Sequence, residues 1–308
     1  MDFQTKLKSY ASYTDTKLDF YLPILENDQK SIYEAMRYSL LCGGKRIRPV
    51  LAYSTAELLG LSKDDVAPFA CAIEMIHTYS LIHDDLPAMD DDDFRRGRPS
   101  CHKQFGEAQA ILAGDALLTK AFELSGIGAI ELAKKMPEQA IRGAQIIHAL
   151  AVAAGSEGMV GGQVIDLEGE EKILSSETHN TLCALKTGAL LTIPVRISVI
   201  CAGMQDTKVG NLLIRYAQAL GLAFQIKDDI LDVEGDAALL GKATGMDEKC
   251  NKTTFVSLYG LEGAKARLQA LTTEALDICE QLNGIFPERG GACGFLRELA
   301  IFLLERNY

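Results

Sequence analysis

Residues 64–93 read DDVAPFACAIEMIHTYSLIHDDLPAMDDDD, and the fold is decided by how this stretch is read. Asp64 and Asp65 suit the first turn of a helix, where backbone N–H groups attract negative charge. The apolar run behind them shows no strand-like alternation, so it predicts one long helix to about Asp85. Pro87 cannot donate the amide bond that would reach His83, and the helix must bend or stop there. On a straight helix Asp84 and Asp90 would point to well-separated faces. With the break at Pro87, the loop can fold Asp90 back towards Asp84.

Two or three converging carboxylates suit a hard cation. Magnesium takes one or two of them and fills its octahedron with water and phosphate oxygens. A solvated acidic loop is the plain alternative. A calcium loop fails on spacing, because the sixth and twelfth positions from Asp84 are Met89 and Arg95, where glycine and glutamate are required. Arg95-Arg96-Gly97-Arg98 follows at once. Acid then base on one loop favours a metal-bridged phosphate with guanidinium contacts.

Working outward, nearly every periodic stretch reads as helix: 28–42, 49–59, 107–125, 138–154, 175–203 with a kink before Pro194, 207–233, 261–282 and 288–306. Glycine and proline punctuate where helix ends belong. With no repeat and no linker, the chain reads as one all-α domain over residues 1–308, an antiparallel helix bundle. Charged loops at 41–49, 90–100 and 235–254 join helices and suit the rim of a cavity.

The 308 residues are 48% hydrophobic and 24% charged, enough for a sizeable core, and the net charge is −11. That charge argues against nucleic acid or an anionic membrane as a bulk partner. The start has no basic segment followed by an apolar run, and apolar stretches such as 143–156 read as too short to span a membrane. Arg196 interrupts the run after Lys186. Eight cysteines lie scattered, without the paired spacing of a zinc site, and read as free thiols in a reducing cytoplasm.

A second acidic cluster lies in Gln225-Ile226-Lys227-Asp228-Asp229-Ile230-Leu231-Asp232. Gln225, Asp229 and Asp232 share one helix face, with Asp228 at its edge. Like charges so placed repel each other without a counter-ion. An exposed helix end is the plain alternative, and two such clusters in one chain weigh against it. Lys45, Arg46 and Arg48 follow paired glycines that permit close backbone approach. Lys186-Thr187-Gly188 interrupts an apolar helix. His77 lies on the stripe of Asp84, seven residues earlier.

These motifs together resemble the (E)-prenyl diphosphate synthase family, and within it the bacterial enzymes that make farnesyl diphosphate. The likeness runs from Gly43-Gly44-Lys45-Arg46-Ile47-Arg48-Pro49 through the Asp84 cluster with Arg95-Arg96-Gly97. It continues through Gly161-Gly162-Gln163 with Asp166, then Lys186-Thr187, then Phe224-Gln225 with the Asp228 cluster, to about Thr254. The four-residue spacer between Asp85 and Asp90 is that of the bacterial branch. Asn251 departs from it, since many bacterial relatives carry glycine there.

The resemblance implies an all-α bundle around a deep central cavity, usually a homodimer, condensing isopentenyl diphosphate with dimethylallyl or geranyl diphosphate. By the same resemblance Lys45, Arg48, His77 and Arg96 would hold isopentenyl diphosphate. Asp84, Asp85, Asp90, Asp228, Asp229 and Asp232 would bind magnesium, three ions with substrate present. Arg95, Lys186, Thr187, Gln225, Lys242 and Lys252 would hold the allylic diphosphate. Tyr79, five residues before the first aspartate, with the small Ser80 at four, marks a fifteen-carbon product; ten- or twenty-carbon products are the nearby alternatives. A class I terpene cyclase would need no second diphosphate site, and a non-catalytic subunit would be expected to have lost acids from a cluster.

Overall fold

The computed structural model describes residues 2–170, 172–234 and 252–304; Lys242 and Asn251 lie outside them. The described chain is helical apart from one two-stranded hairpin, and its helices fall into two compact units. The first comprises Met1–His148 with Ile200–Ala202, the second Ala149–Val199 with Gly203–Tyr308.

In the first unit α1 (Phe3–Tyr21) starts at Asp2, whose side chain accepts the Thr5 N–H at 3.0 Å. It is followed by α2 (Lys30–Leu40), α3 (Ile47–Leu58) and α4 (Lys63–Asp84). A reciprocal cap between Ser62 and Asp65 opens α4, satisfying two N–H groups that a helix start leaves without partners. The helix then runs to Asp84 as its sequence predicts, and is buried along most of its length against α3 and α6. Strands β1 (Phe94–Arg95) and β2 (Arg98–Pro99) pair antiparallel, and α5 (Cys101–Phe105) leads into α6 (Glu107–Lys135). The hairpin was not expected. Arg96 and Gly97 turn it with φ of +53° and +75°, the two left-handed residues that match strand twist in a two-residue turn.

Helix α6 continues ten residues beyond its expected end at Ser125. Gly126 and Gly128 read as a terminus, but Gly128 is a packing contact: a Cβ there would meet Phe69 Cζ at 2.9 Å. After it comes α7 (Ala140–Ala154).

In the second unit α8 (Met159–Glu168) and α9 (Ser176–Cys183) precede a π-helical turn at Ala184–Gly188 and α10 (Ala189–Ala202). The irregularity expected before Pro194 thus falls earlier, at Lys186, and the helix runs on through Pro194. By length and composition the run Ser176–Ala202 could cross a membrane, contrary to the expectation of interrupted stretches, but 67% of its most apolar window is buried inside the protein. Then α11 (Lys208–Glu234) packs on α12 (Phe255–Ile285), and α12 on α13 (Gly290–Leu304). The expected start of α12 at residue 261 coincides with a break at Gly260 (φ +71°). The helix gains an extra first turn from a cap between Thr254 and Ser257. Leu182, Cys183, Ile226, Ile230, Phe255 and Ala264 form a buried cluster under this region.

Candidate functional site

At the end of α4 the acidic loop folds back as predicted. The Asp90 N–H donates to the Asp84 carbonyl at 2.9 Å, while Met89 and Asp91 N–H groups both reach the Leu86 carbonyl. Asp91 takes φ of +49° to make the turn. Asp84 is half-buried and Asp90 exposed. Asp85 is buried, and Arg95 donates to its Oδ1 through Nε at 2.9 Å and through Nη2. Burial pushes the Asp85 carboxyl above its usual range, with the Arg95 bonds opposing that rise. Arg95 is likewise desolvated, yet the Asp85 pair outweighs this and raises it. Asp85 therefore orients Arg95, while the Asp90 loop is tied to the Asp84 backbone.

Among the described residues no three His, Cys, Asp or Glu side chains converge on one point. The acidic groups of both clusters offer carboxylate oxygens. An incomplete set of hard oxygens fits magnesium, which keeps several positions for water and substrate phosphate.

The second feature of this unit is a group of guanidiniums around His77. Arg46, at φ of +50°, is committed to structure: it donates to Asp15 and Glu74 at 2.8 Å and to the Leu40 carbonyl at 2.7 Å. Arg96 reaches across to donate to the Gly43 carbonyl. A Cβ at Gly44 (φ +130°) would meet the Arg96 Cζ at 3.0 Å, so glycine is required there. Burial pushes the Arg48 guanidinium down to about 10, Glu74 pulling it up and Arg96 adding to the fall; its Nε is buried without a partner. Burial, then Arg48 and Arg96, hold His77 well below its ordinary value, so it is a neutral imidazole among cations. The structure thus brings Arg48, His77 and Arg96 together, with Lys45 exposed on the adjoining turn.

The second unit holds a cavity of about 170 Å³ lined by Asp166, Lys186, Thr187, Gln225, Asp229 and Lys252, among others. The π turn carries Lys186 and Thr187, and glycines let it approach its neighbours. A Cβ at Gly162 of α8 would come within 2.3 Å of the Lys186 backbone nitrogen, and one at Gly221 of α11 within 3.0 Å of the Gly188 Cα. Lys186 Nζ meets Asp166 Oδ2 at 2.5 Å, and Lys252 Nζ lies 3.8 Å from the same oxygen. Thr187 donates to Gln225 at 3.3 Å, and Gln225 to Asp229 Oδ1 at 3.0 Å. The Phe255 N–H, first in α12, donates to Asp229 Oδ2 at 2.7 Å.

Asp229, expected to share the metal role, is therefore also a buried anchor, with both oxygens engaged. Asp228 and Asp232 are half-buried on the same helix. Asp166 had no role in the sequence reading, although it lies one helical turn after Gly162. That spacing was the available signal.

Tyr79 and Ser80 lie on α4. Tyr79 is buried, and its ring stands edge-on to His83 at 5.7 Å between centroids. Burial, helped by the Asp84 charge, pushes its phenol up to about 12. Ser80 is buried and bonds the His77 carbonyl at 2.9 Å.

The polyprenyl synthetase family model matches residues 29–281. A farnesyl diphosphate synthase of Escherichia coli K12 is 42% identical over the whole of both chains. One of Geobacillus stearothermophilus is 50% identical over 85% of this chain and 86% of its own. Among solved structures, an FPP/GFPP synthase of Zymomonas mobilis superposes with a TM-score of 0.82 at 37% identity, covering 98% of each chain.

Proposed function

The chain belongs to the polyprenyl synthetase family, and from that premise we propose that it condenses isopentenyl diphosphate with dimethylallyl and then geranyl diphosphate to give farnesyl diphosphate. One observation carries this reading beyond family membership: there are two cationic sites, one in each unit. In the first, the charges of Arg48 and Arg96 act on His77; in the second, Lys186 and Lys252 line a cavity. A reaction that joins two diphosphates needs two such sites, whereas cyclisation needs one.

The lysine cavity takes the allylic diphosphate, a role the family likeness extends to Arg95 and Lys242, and the arginine group with Lys45 takes isopentenyl diphosphate. Asp84 and Asp90 of the first cluster and Asp228 and Asp232 of the second would hold the magnesium, while Asp85 and Asp229 serve as anchors for Arg95 and the Phe255 N–H. Bound magnesium supplies Lewis-acid neutralisation of the leaving diphosphate. Lys186 and Lys252 add fixed positive charge where the allylic C–O electron pair departs, so the bond breaks towards a carbocation. Thr187 and Gln225, locked to each other, present oxygens that stabilise that cation. His77 adds a hydrogen bond to the isopentenyl diphosphate beside the guanidinium contacts. The isopentenyl double bond attacks the cation and forms the new C–C bond. The proton then lost passes to the released diphosphate. The protein contributes position, charge and exclusion of water.

The enzyme acts as a homodimer in the cytoplasm, a setting in keeping with seven free cysteines among the described residues. The test is incubation with magnesium and labelled isopentenyl diphosphate, with and without an allylic primer. Product requiring both and eluting at fifteen carbons after dephosphorylation supports the reading. Consumption of the primer alone would mark a cyclase, and consumption of neither a non-catalytic subunit.

A further inference from the structure

We infer that His83 on α4 and Gly114 on α6 form a latch that holds the Tyr79 ring and so fixes product length, an inference that rests on Tyr79 being the floor beneath the growing prenyl tail. His83 follows Tyr79 by one helical turn. Its ring meets the phenol edge-on, at 5.7 Å and 79°, an arrangement favoured by the opposite polarity of ring face and ring edge. The imidazole is itself fixed. Its Nε2 lies 3.1 Å from the Ile111 carbonyl of α6, which requires that nitrogen to carry the proton.

The ring occupies the space that a side chain at residue 114 would fill. A Cβ on Gly114 would stand 2.1 Å from His83 Nε2 and 2.5 Å from Cδ2. Glycine inside a helix is unfavourable relative to alanine, so the seat for His83 accounts for its presence. The contacts form a chain from the Ile111 carbonyl of α6 to the imidazole and from the imidazole to the Tyr79 ring. A floor held from behind stays upright. Without its support it can swing aside and admit one more five-carbon unit.

The experiment compares chromatographed, dephosphorylated products of the wild-type enzyme with those of Tyr79→Ala, His83→Ala, His83→Gln, Gly114→Ala and the Tyr79→Ala/His83→Ala pair. Both His83 variants should raise the ratio of twenty- to fifteen-carbon product about three- to tenfold, the factor that loss of one aromatic edge contact implies. Gly114→Ala should move the ratio too, because the ring loses its seat. In the pair, His83→Ala should add nothing to the effect of Tyr79→Ala, since it acts through that ring. Should His83→Ala fail to fold, His83→Gln carries the same expectation. If Tyr79→Ala shifts the ratio while the His83 and Gly114 variants leave it unchanged, or if the pair is additive, the latch is refuted. If Tyr79→Ala itself leaves the ratio unchanged, the floor assignment fails instead.

Discussion

Asp229→Asn separates an anchoring role from a metal-binding one, and its cost follows from the bonds the carboxylate makes. Oδ1 accepts from Gln225 and Oδ2 from the Phe255 N–H at the start of α12, with the side chain buried. An asparagine offers one oxygen in place of two and turns an NH2 group towards the second donor. The loss of one charge-assisted bond, with its buried donor left unpaired, costs about 1.5–3 kcal/mol. Removing negative charge from a helix N-terminus costs about 0.3–1 kcal/mol more. Asp229→Asn should therefore destabilise the protein by about 2–4 kcal/mol, measured as a lower urea midpoint at unchanged slope. Asp228→Asn, at a half-buried position on the same helix, should cost about 1 kcal/mol or less while still lowering turnover. A wild-type midpoint for Asp229→Asn, or an equal loss for Asp228→Asn, would refute the anchoring argument.

Asp84→Asn and Asp90→Asn should each reduce turnover by roughly two to three orders of magnitude, as for loss of a major electrostatic stabiliser; EDTA should abolish activity and added magnesium restore it, and near-wild-type rates in both folded variants would remove the metal assignment. Lys45→Ala and Arg48→Ala should raise the Michaelis constant for isopentenyl diphosphate with little change for the allylic substrate, and Lys186→Ala the reverse; equal effects in steady-state kinetics would rule out two separate sites. His77 adds a pH dependence of definite sign, because burial and the surrounding guanidiniums lower its folded-state value well below 6.5. As pH falls through that ordinary value the unfolded chain takes up a proton that the native protein refuses, so stability declines from about pH 6.5 downwards. His77→Gln should flatten this slope in urea titrations between pH 7.5 and 5, and an unchanged slope would contradict a neutral, caged imidazole.

The helical class was legible because one long apolar run ended in acid and proline, and because glycine and proline marked most boundaries. The misplaced end of α6 has a simple cause, which is that a glycine looks alike as a terminus and as a contact. Gly128 receives Phe69 and Gly162 receives the Lys186 backbone, and neither neighbour can be identified from local sequence. The hairpin at Phe94–Pro99 was hidden because each strand has only two residues, too few to show alternation.

The sequence by itself determined the chemistry of the site: carboxylates in two clusters, cations beside them, and a break at Pro87 that folds Asp90 back onto Asp84. These follow from residue type and spacing along one chain, where covalent geometry limits the choices. Only tertiary structure decided what each group does once surrounded. Asp85 is spent on Arg95, Asp229 on the first amide of α12, and Arg46 on Asp15 and Glu74. His77 is held below its ordinary value by burial and then by guanidiniums as distant in sequence as Arg48 and Arg96. Burial and long-range charge depend on which helices meet, and no local spacing encodes that.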